Sequence, residues 1–208
     1  MGLAREGLAL TDDEREMIAY HEAGHAVIAA VLPHADPIHK VTIVPRGRAM
    51  GVTQQLPEGE KYIYPREYML DRLAVMMGGR AAENMEFATA TSGAENDLKQ
   101  ATELARRMVL DWGMSERFGF MALGGRSQQV FLGEEISRGR NYSDRTAREV
   151  DEEIMSILDA AFSRAEATLQ KYRAGLHAVA DGLLEKEEML GDEVMALLEL
   201  DSVATAVS

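Results

Sequence analysis

Cysteine is absent from the 208 residues, which excludes disulfides, thiolate-held zinc, iron–sulfur clusters and a thiol nucleophile together. Any metal must be held by His and carboxylates. Basic residues are scarce: 22 Lys and Arg stand against 35 Asp and Glu, for a formal net charge of -13. That balance argues against a nucleic-acid partner, because neutralising phosphates takes clustered Lys and Arg. Aromatics make up 6% of the chain while Met numbers 13, so the core is expected to be built from aliphatic and Met side chains on helices. Long hydrophobic runs are also missing. The longest clean one in the first half, Ala26–Leu32, is far short of the roughly 20 residues that span a bilayer. The opening Met1-Gly2-Leu3-Ala4-Arg5-Glu6 offers neither the apolar stretch of a signal peptide nor the Ser or Thr of a myristoylation site. The chain is therefore expected to be soluble. Its 46% hydrophobic and 27% charged residues suit one globular domain, read here as a tail or linker over 1–10 and a single domain over 11–208.

Local signals place the elements. Thr11-Asp12-Asp13-Glu14 is a capping box that starts a helix near residue 12, and Pro33 ends it by disfavouring helix in the residue before. β-branched residues predict strands over Ile38–Val44 and Val52–Gln55, separated by a turn over Arg46–Gly51. Pro65 is read as the first residue of a second helix. Met69, Leu70, Leu73, Ala74, Met76 and Met77 carry it to Gly78-Gly79, a pair that either bends the helix or admits another backbone, and Arg80–Phe87 continues it. Ser92-Gly93-Ala94-Glu95 reads as a second capping box, starting a helix near Ala94 that stops at Trp112-Gly113. Residues 114–140 read as a long irregular connection. An amphipathic helix follows from Ser143, with an apolar stripe from Val150 to Tyr172, then two short helices around Leu176–Glu187 and Asp192–Leu198. From Asn141 onward fifteen Asp or Glu face six Lys or Arg, read as a solvated acidic helical face. The fold is expected to be mainly α with a small β-sheet, with 11–140 as the catalytic part and 141–208 as C-terminal helices.

The sharpest chemical signal is His21-Glu22-Ala23-Gly24-His25. Four residues on a helix are a little over one turn, so both imidazoles leave one face with Cβ atoms about 6 Å apart and can grip one ion. Glu22, about 100° around the axis, can reach a water on that ion without being a ligand. Zinc would bring the pKa of such a water near 7, and Glu22 could take its proton and deliver it to a leaving amine. This is the chemistry of peptide-bond hydrolysis. A catalytic zinc needs a third protein ligand. Ile28 and Val31 stand where a metzincin needs Gly and His, so that class is excluded. His34, His39 and His177 have ordinary readings as surface or strand residues, and Glu83, Glu95 and Asp97 near later helix starts are better candidates. Spacing does not choose among them.

The order of further blocks narrows the reading. His21-Glu22-Ala23-Gly24-His25-Ala26 is followed by Leu56-Pro57-Glu58, by Gly78-Gly79-Arg80-Ala81-Ala82-Glu83, by Thr91-Ser92-Gly93-Ala94-Glu95-Asn96-Asp97-Leu98, and by Trp112-Gly113-Met114-Ser115. In this order the chain resembles the protease domain of the FtsH family, the membrane-anchored, ATP-dependent zinc proteases of bacteria, mitochondria and chloroplasts. Leu190-Gly191-Asp192-Glu193 resembles the acidic motif before that family's last helix.

The resemblance implies a zincin-type active-site helix, then a short sheet, then a C-terminal helical bundle. It implies a zinc endopeptidase with one Zn2+ per chain, held by His21, His25 and Asp97, with Glu22 as general base. Glu83 is read as a group that orients a ligand His, and Glu95 as a capping partner. The strand Val52, Thr53 and Gln54, or its neighbour Val41–Val44, is read as a place where an extended substrate adds by β-augmentation. Expected partners are unfolded protein or peptide substrates and further copies in a homohexamer. The AAA ATPase module and membrane segment of such proteins are not in this chain: it contains no G-x-x-x-x-G-K-[ST] loop to cradle nucleotide phosphates, so no ATP site is expected. The chain is read as the isolated protease domain, on the cytoplasmic side in the bacterial case. Two alternatives stay open: another metallohydrolase with Glu83 as third ligand, and a catalytically silent helical oligomerisation domain.

Overall fold

The computed structural model describes residues 10–45, 50–57, 59, 62–124 and 142–200. The turn over Arg46–Ala49, Glu58, residues 1–9 of the tail and the 125–140 portion of the long connection lie outside the described residues. The order of elements is α1 (Asp12–Val31), β1 (Ile38–Thr42), β2 (Val52–Gln55), α2 (Arg66–Phe87), a 3-10 turn (Ser92–Ala94), α3 (Glu95–Leu110), α4 (Asp144–Lys171), α5 (Arg173–Lys186), β3 (Glu188–Leu190) and α6 (Gly191–Leu197). The fold is mainly α with a small sheet, as the periodicity predicts. Among the described residues no helix is long and apolar enough to cross a membrane.

Helix α1 begins with the expected box: Thr11 Oγ1 accepts from the Glu14 amide at 3.2 Å, and the Thr11 amide donates to Glu14 Oε2 at 2.9 Å. Beyond its first two turns the helix is enclosed on every side, with Ala19 through Ala29 buried without interruption. Helices α2, α4, α5 and α6 and the sheet all pack on it. The core contains the predicted aliphatic and Met side chains, among them Ile28, Leu73, Met108, Leu169, Leu176, Leu183 and Met189.

Helix α2 runs unbroken through Gly78-Gly79. The pair serves as a point of approach: a Cβ on Gly78 would stand 2.7 Å from the Gly24 carbonyl oxygen, and one on Gly24 would overlap the Gly78 carbonyl. The two helices therefore meet backbone to backbone beside His25. Pro65 is the residue before α2 and not its first helical residue, because its extended backbone turns the chain into the helix.

The sheet is antiparallel with order β2-β1-β3. Its third strand was not expected. β3 is only three residues, read in sequence as part of the link between two helices, and it exists because Val41 pairs with Met189 across the long-range β1–β3 ladder. Both edges of β1 are occupied, by β2 and β3, so the expectation that Val41–Val44 could receive an extended chain is corrected. β2, bonded to β1 alone among the described residues, keeps an open edge.

Gly24→Ala should destabilise the chain by about 1–3 kcal/mol or more through overpacking against backbone. Gly175→Ala, whose added methyl meets only the flexible end of Leu198, should stay within about 1 kcal/mol of the parent, since Ala is the better helix former. Urea unfolding of the two variants measures the contrast, and equal stabilities would refute backbone contact as the reason for Gly24.

Candidate metal centre

Burying polar side chains in a central helix costs stability unless each is hydrogen-bonded. His21, Glu22 and His25 are 8%, 6% and 7% exposed, and each has partners drawn from other elements. His21 Nδ1 lies 2.8 Å from Glu83 Oε1, and His25 Nδ1 lies 2.7 Å from the Val75 carbonyl oxygen, both on α2. Both partners accept, so each Nδ1 carries the proton and each neutral ring turns an Nε2 lone pair the other way. The two Nε2 atoms are 3.1 Å apart. Asp97 Oδ2 completes the group, 3.3 Å from His21 Nε2 and 3.5 Å from His25 Nε2.

Three acceptors thus converge with no donor of their own, an arrangement that calls for a cation. A tetrahedral ion with bonds of about 2.0–2.1 Å separates its ligands by about 3.3 Å, and the three separations here bracket that value. Two imidazoles and one carboxylate without thiolate suit zinc. A proton can meet the same need: burial alone would lower the His21 pKa, but hydrogen bonds to Asp97 and Glu83 overcome it and raise it to about 9. For Asp97, burial pulls upward, and its bonds to His21 and His25 outweigh that and hold the carboxyl well below the usual range. Its place in the first turn of α3 adds the favourable helix dipole.

The sequence placed a second capping box at Ser92–Glu95, and the structure corrects it. The chain enters α3 through the 3-10 turn, so Ser92 is already inside that turn, and Ala94 precedes α3 with no side-chain cap. Thr91 caps instead, its Oγ1 accepting from the Gly93 amide at 3.1 Å. Glu95 pairs with Lys99 one turn along. Thr91 also secures Glu83, donating from its amide to Oε2 at 3.0 Å and from its hydroxyl to Oε1 at 2.9 Å. Burial raises the Glu83 pKa, yet the bonds from His21 and Thr91 prevail and keep it lowered. Glu83, 1% exposed, faces the ring nitrogen of His21 opposite the one turned to Asp97, so the structure does not bring it into the converging group. Among the described residues that group is His21, His25 and Asp97.

Glu22 stands apart from the three acceptors. Its Oε2 receives the Thr53 hydroxyl from β2 at 2.8 Å, and Gly51 lies against the rest of the carboxyl, where a Cβ would be 2.6 Å from both Cγ and Oε1. Burial raises its pKa, opposed by His25, His21 and the Thr53 bond. Gly79 similarly leaves room for the His21 ring, which an added Cβ would approach to 2.5 Å at Nε2. A cleft of about 920 Å³ opens over these groups, with His21, Glu22, His25, Asp97, Val52 and Thr53 in its wall and Gln54 outside it. The remaining histidines lie elsewhere: His34 bonds Asp71, His177 bonds Tyr20, and His39 is exposed on β1.

Sequence reasoning missed Gly51, Thr91 and the Val75 carbonyl, and it read Thr53 as part of a substrate strand without its contact to Glu22. Gly51 and Thr53 were legible in principle, because residues two apart on a strand share a face. The Val75 carbonyl carries no side-chain signal at all.

Comparison with known proteins gives the family. The sequence profile of Peptidase family M41 matches residues 8–197. The chain is 59% identical over 202 residues to ATP-dependent zinc metalloprotease FtsH 2 of Salinibacter ruber, covering 97% of this chain and 30% of that protein. It is 54% identical over 199 residues to ATP-dependent zinc metalloprotease FtsH of Acidimicrobium ferrooxidans, covering 96% and 30%. Against the FtsH of Thermotoga maritima it is 47% identical over 198 residues, covering 95% and 32%. The chain spans about three-tenths of the length of these relatives. With that match running from ahead of the first helix into the last, the chain belongs to Peptidase family M41.

Proposed function

We propose that the chain is the peptidase portion of an ATP-dependent zinc protease, in which His21 Nε2, His25 Nε2 and Asp97 Oδ2 hold one Zn2+ and Glu22 is the general base. The observation that carries this reading is the triangle of three acceptors at 3.1, 3.3 and 3.5 Å. Zinc, when bound, supplies Lewis acidity, making a water available as nucleophile near neutral pH and polarising a peptide carbonyl.

The protein's own groups do the rest. Glu83 holds the His21 proton at Nδ1 and the Val75 carbonyl does the same for His25, so both Nε2 lone pairs stay aimed at one point. Glu22 Oε2 is engaged by Thr53, which leaves Oε1 to take the proton from water as its oxygen adds to the peptide carbon. The same oxygen returns that proton to the amide nitrogen as the C–N bond breaks, giving a carboxylic acid and an amine. The edge of β2 that is unpaired among the described residues, with Val52 and Thr53 in the cleft wall, offers main-chain groups to an extended substrate, so unfolded segments fit better than folded ones. The AAA module, membrane segment, hexameric ring and cytoplasmic placement are proposed for the whole protein by likeness to the FtsH family.

Zinc titration against a competing chelator tests the ligand set. Asp97→Ala should abolish stoichiometric binding, whereas Glu83→Ala should weaken it about 10- to 100-fold, as expected for a group behind a ligand. Equal losses would overturn the distinction. Glu22→Gln should retain zinc and lose hydrolysis of a flexible peptide by about 10²- to 10⁴-fold; retained hydrolysis would remove Glu22 from the mechanism. The zinc-loaded chain should degrade casein and leave a stably folded protein intact, and equal rates on the two would refute the need for unfolded substrate.

A further inference from the structure

The contacts around Glu22 come from Thr53 on β2 and from Gly51, the residue just before that strand. Residues 51 and 53 lie on the same face of an extended chain, and both meet the Glu22 carboxyl: Thr53 Oγ1 donates to Oε2 at 2.8 Å, and Gly51 lies close enough that a Cβ would stand 2.6 Å from Cγ and Oε1. The Thr53 hydroxyl also lies 3.2 Å from the Glu22 carbonyl oxygen. It has one proton, and the carboxylate at the shorter distance is the stronger acceptor.

A glutamate on a helix has three side-chain torsions, and among the described residues the hydrogen bond that holds the Glu22 carboxyl is the one from Thr53. The neighbouring His21 and His25 are tied instead to α2. We infer that Thr53 is the positioning residue for Glu22: its hydroxyl clamps Oε2 while Gly51 leaves the room in which the carboxyl lies, so that Oε1 alone is presented to the reacting water. Because β2 is an edge strand among the described residues and lies in the wall of the cleft, the strand that aligns the base is the one proposed to receive the substrate backbone. A chain added to that edge settles β2 and the carboxyl together.

The inference rests on Glu22 acting as base, and the experiment separates the two. Zinc-loaded parent, Thr53→Val, Thr53→Ser and Glu22→Gln chains are compared for zinc content, circular dichroism, kcat and KM on one flexible fluorogenic peptide. Valine keeps the shape and removes the hydroxyl. Thr53→Val should bind zinc one to one and hold KM within about twofold, with kcat down about 10- to 100-fold, the cost of a misplaced reacting group. Thr53→Ser should recover most of that loss. If valine disturbs the strand by circular dichroism, Thr53→Ala takes its place with the same expectation. Unchanged kcat in the hydroxyl-free variant, or loss confined to KM or zinc content, overturns the positioning role while Glu22→Gln still reports the base. A zinc-bound parent that cleaves nothing overturns the proposed function and this inference with it.

Discussion

Two neutral imidazoles and a carboxylate oxygen brought within 3.1–3.5 Å of one another repel, and that repulsion is the constraint on which the rest of the molecule depends. Each Nδ1 proton is pinned by an acceptor on α2, so the rings cannot turn that proton inward, and the crowding is relieved by a metal ion or by a further proton on His21. Asp97 arrives from a third element and is kept ionised by the same neighbours. A group built this way needs positive charge at its centre, as a metal ion or a proton, which couples metal affinity to the packing of α1, α2 and α3.

That packing depends on small residues more than on large ones. Helices α1 and α2 share an interface in which Gly24 and Gly78 touch through main-chain atoms, and the closeness places the Val75 carbonyl and the Glu83 carboxylate within reach of the two rings. Gly79 then clears the volume that the His21 ring fills, and Gly51 clears the volume next to Glu22. Four absent side chains therefore shape the centre as firmly as the four polar ones present. A structural role of this kind is energetically inexpensive where space is open and costly where backbone atoms stand in the way.

Much of this was legible in the sequence, for reasons that differ by residue. The helical spacing of His21 and His25 is a local property, so the pair, the capped start of α1 and the apolar stripe of α4 could be read without a fold. Thr11 and Glu14 close their box through neighbouring atoms alone, and the same local pattern failed at Ser92–Glu95 because a 3-10 turn intervened. Strand β3 could not be read, since three residues acquire a strand's hydrogen bonds only from β1, some 148 positions away. Asp97 stood among several acidic residues near helix starts, and no spacing rule joins it to a motif 76 residues earlier. Its selection before the fold was known came from the order of neighbouring blocks shared with the FtsH family.

The contrast between Glu83 and Asp97 shows how the fold assigns roles that composition leaves equal. Both carboxylates touch His21, at opposite ring nitrogens. Glu83 is fastened on both oxygens by Thr91, which leaves it no freedom to move toward a metal and makes it a fixed acceptor for the Nδ1 proton. Asp97, on the first turn of α3 with its side chain 24% exposed, faces the two lone pairs across the cleft. Thr91 governs both positions, because the hydroxyl that binds Glu83 also caps the turn leading into α3. One threonine therefore sets the distance between the carboxylate behind the ring and the carboxylate in front of it, and the ring is held between two anions whose separation the backbone fixes. An imidazole so placed is a stronger electron donor at Nε2 than a free one, which is the property a metal ligand needs.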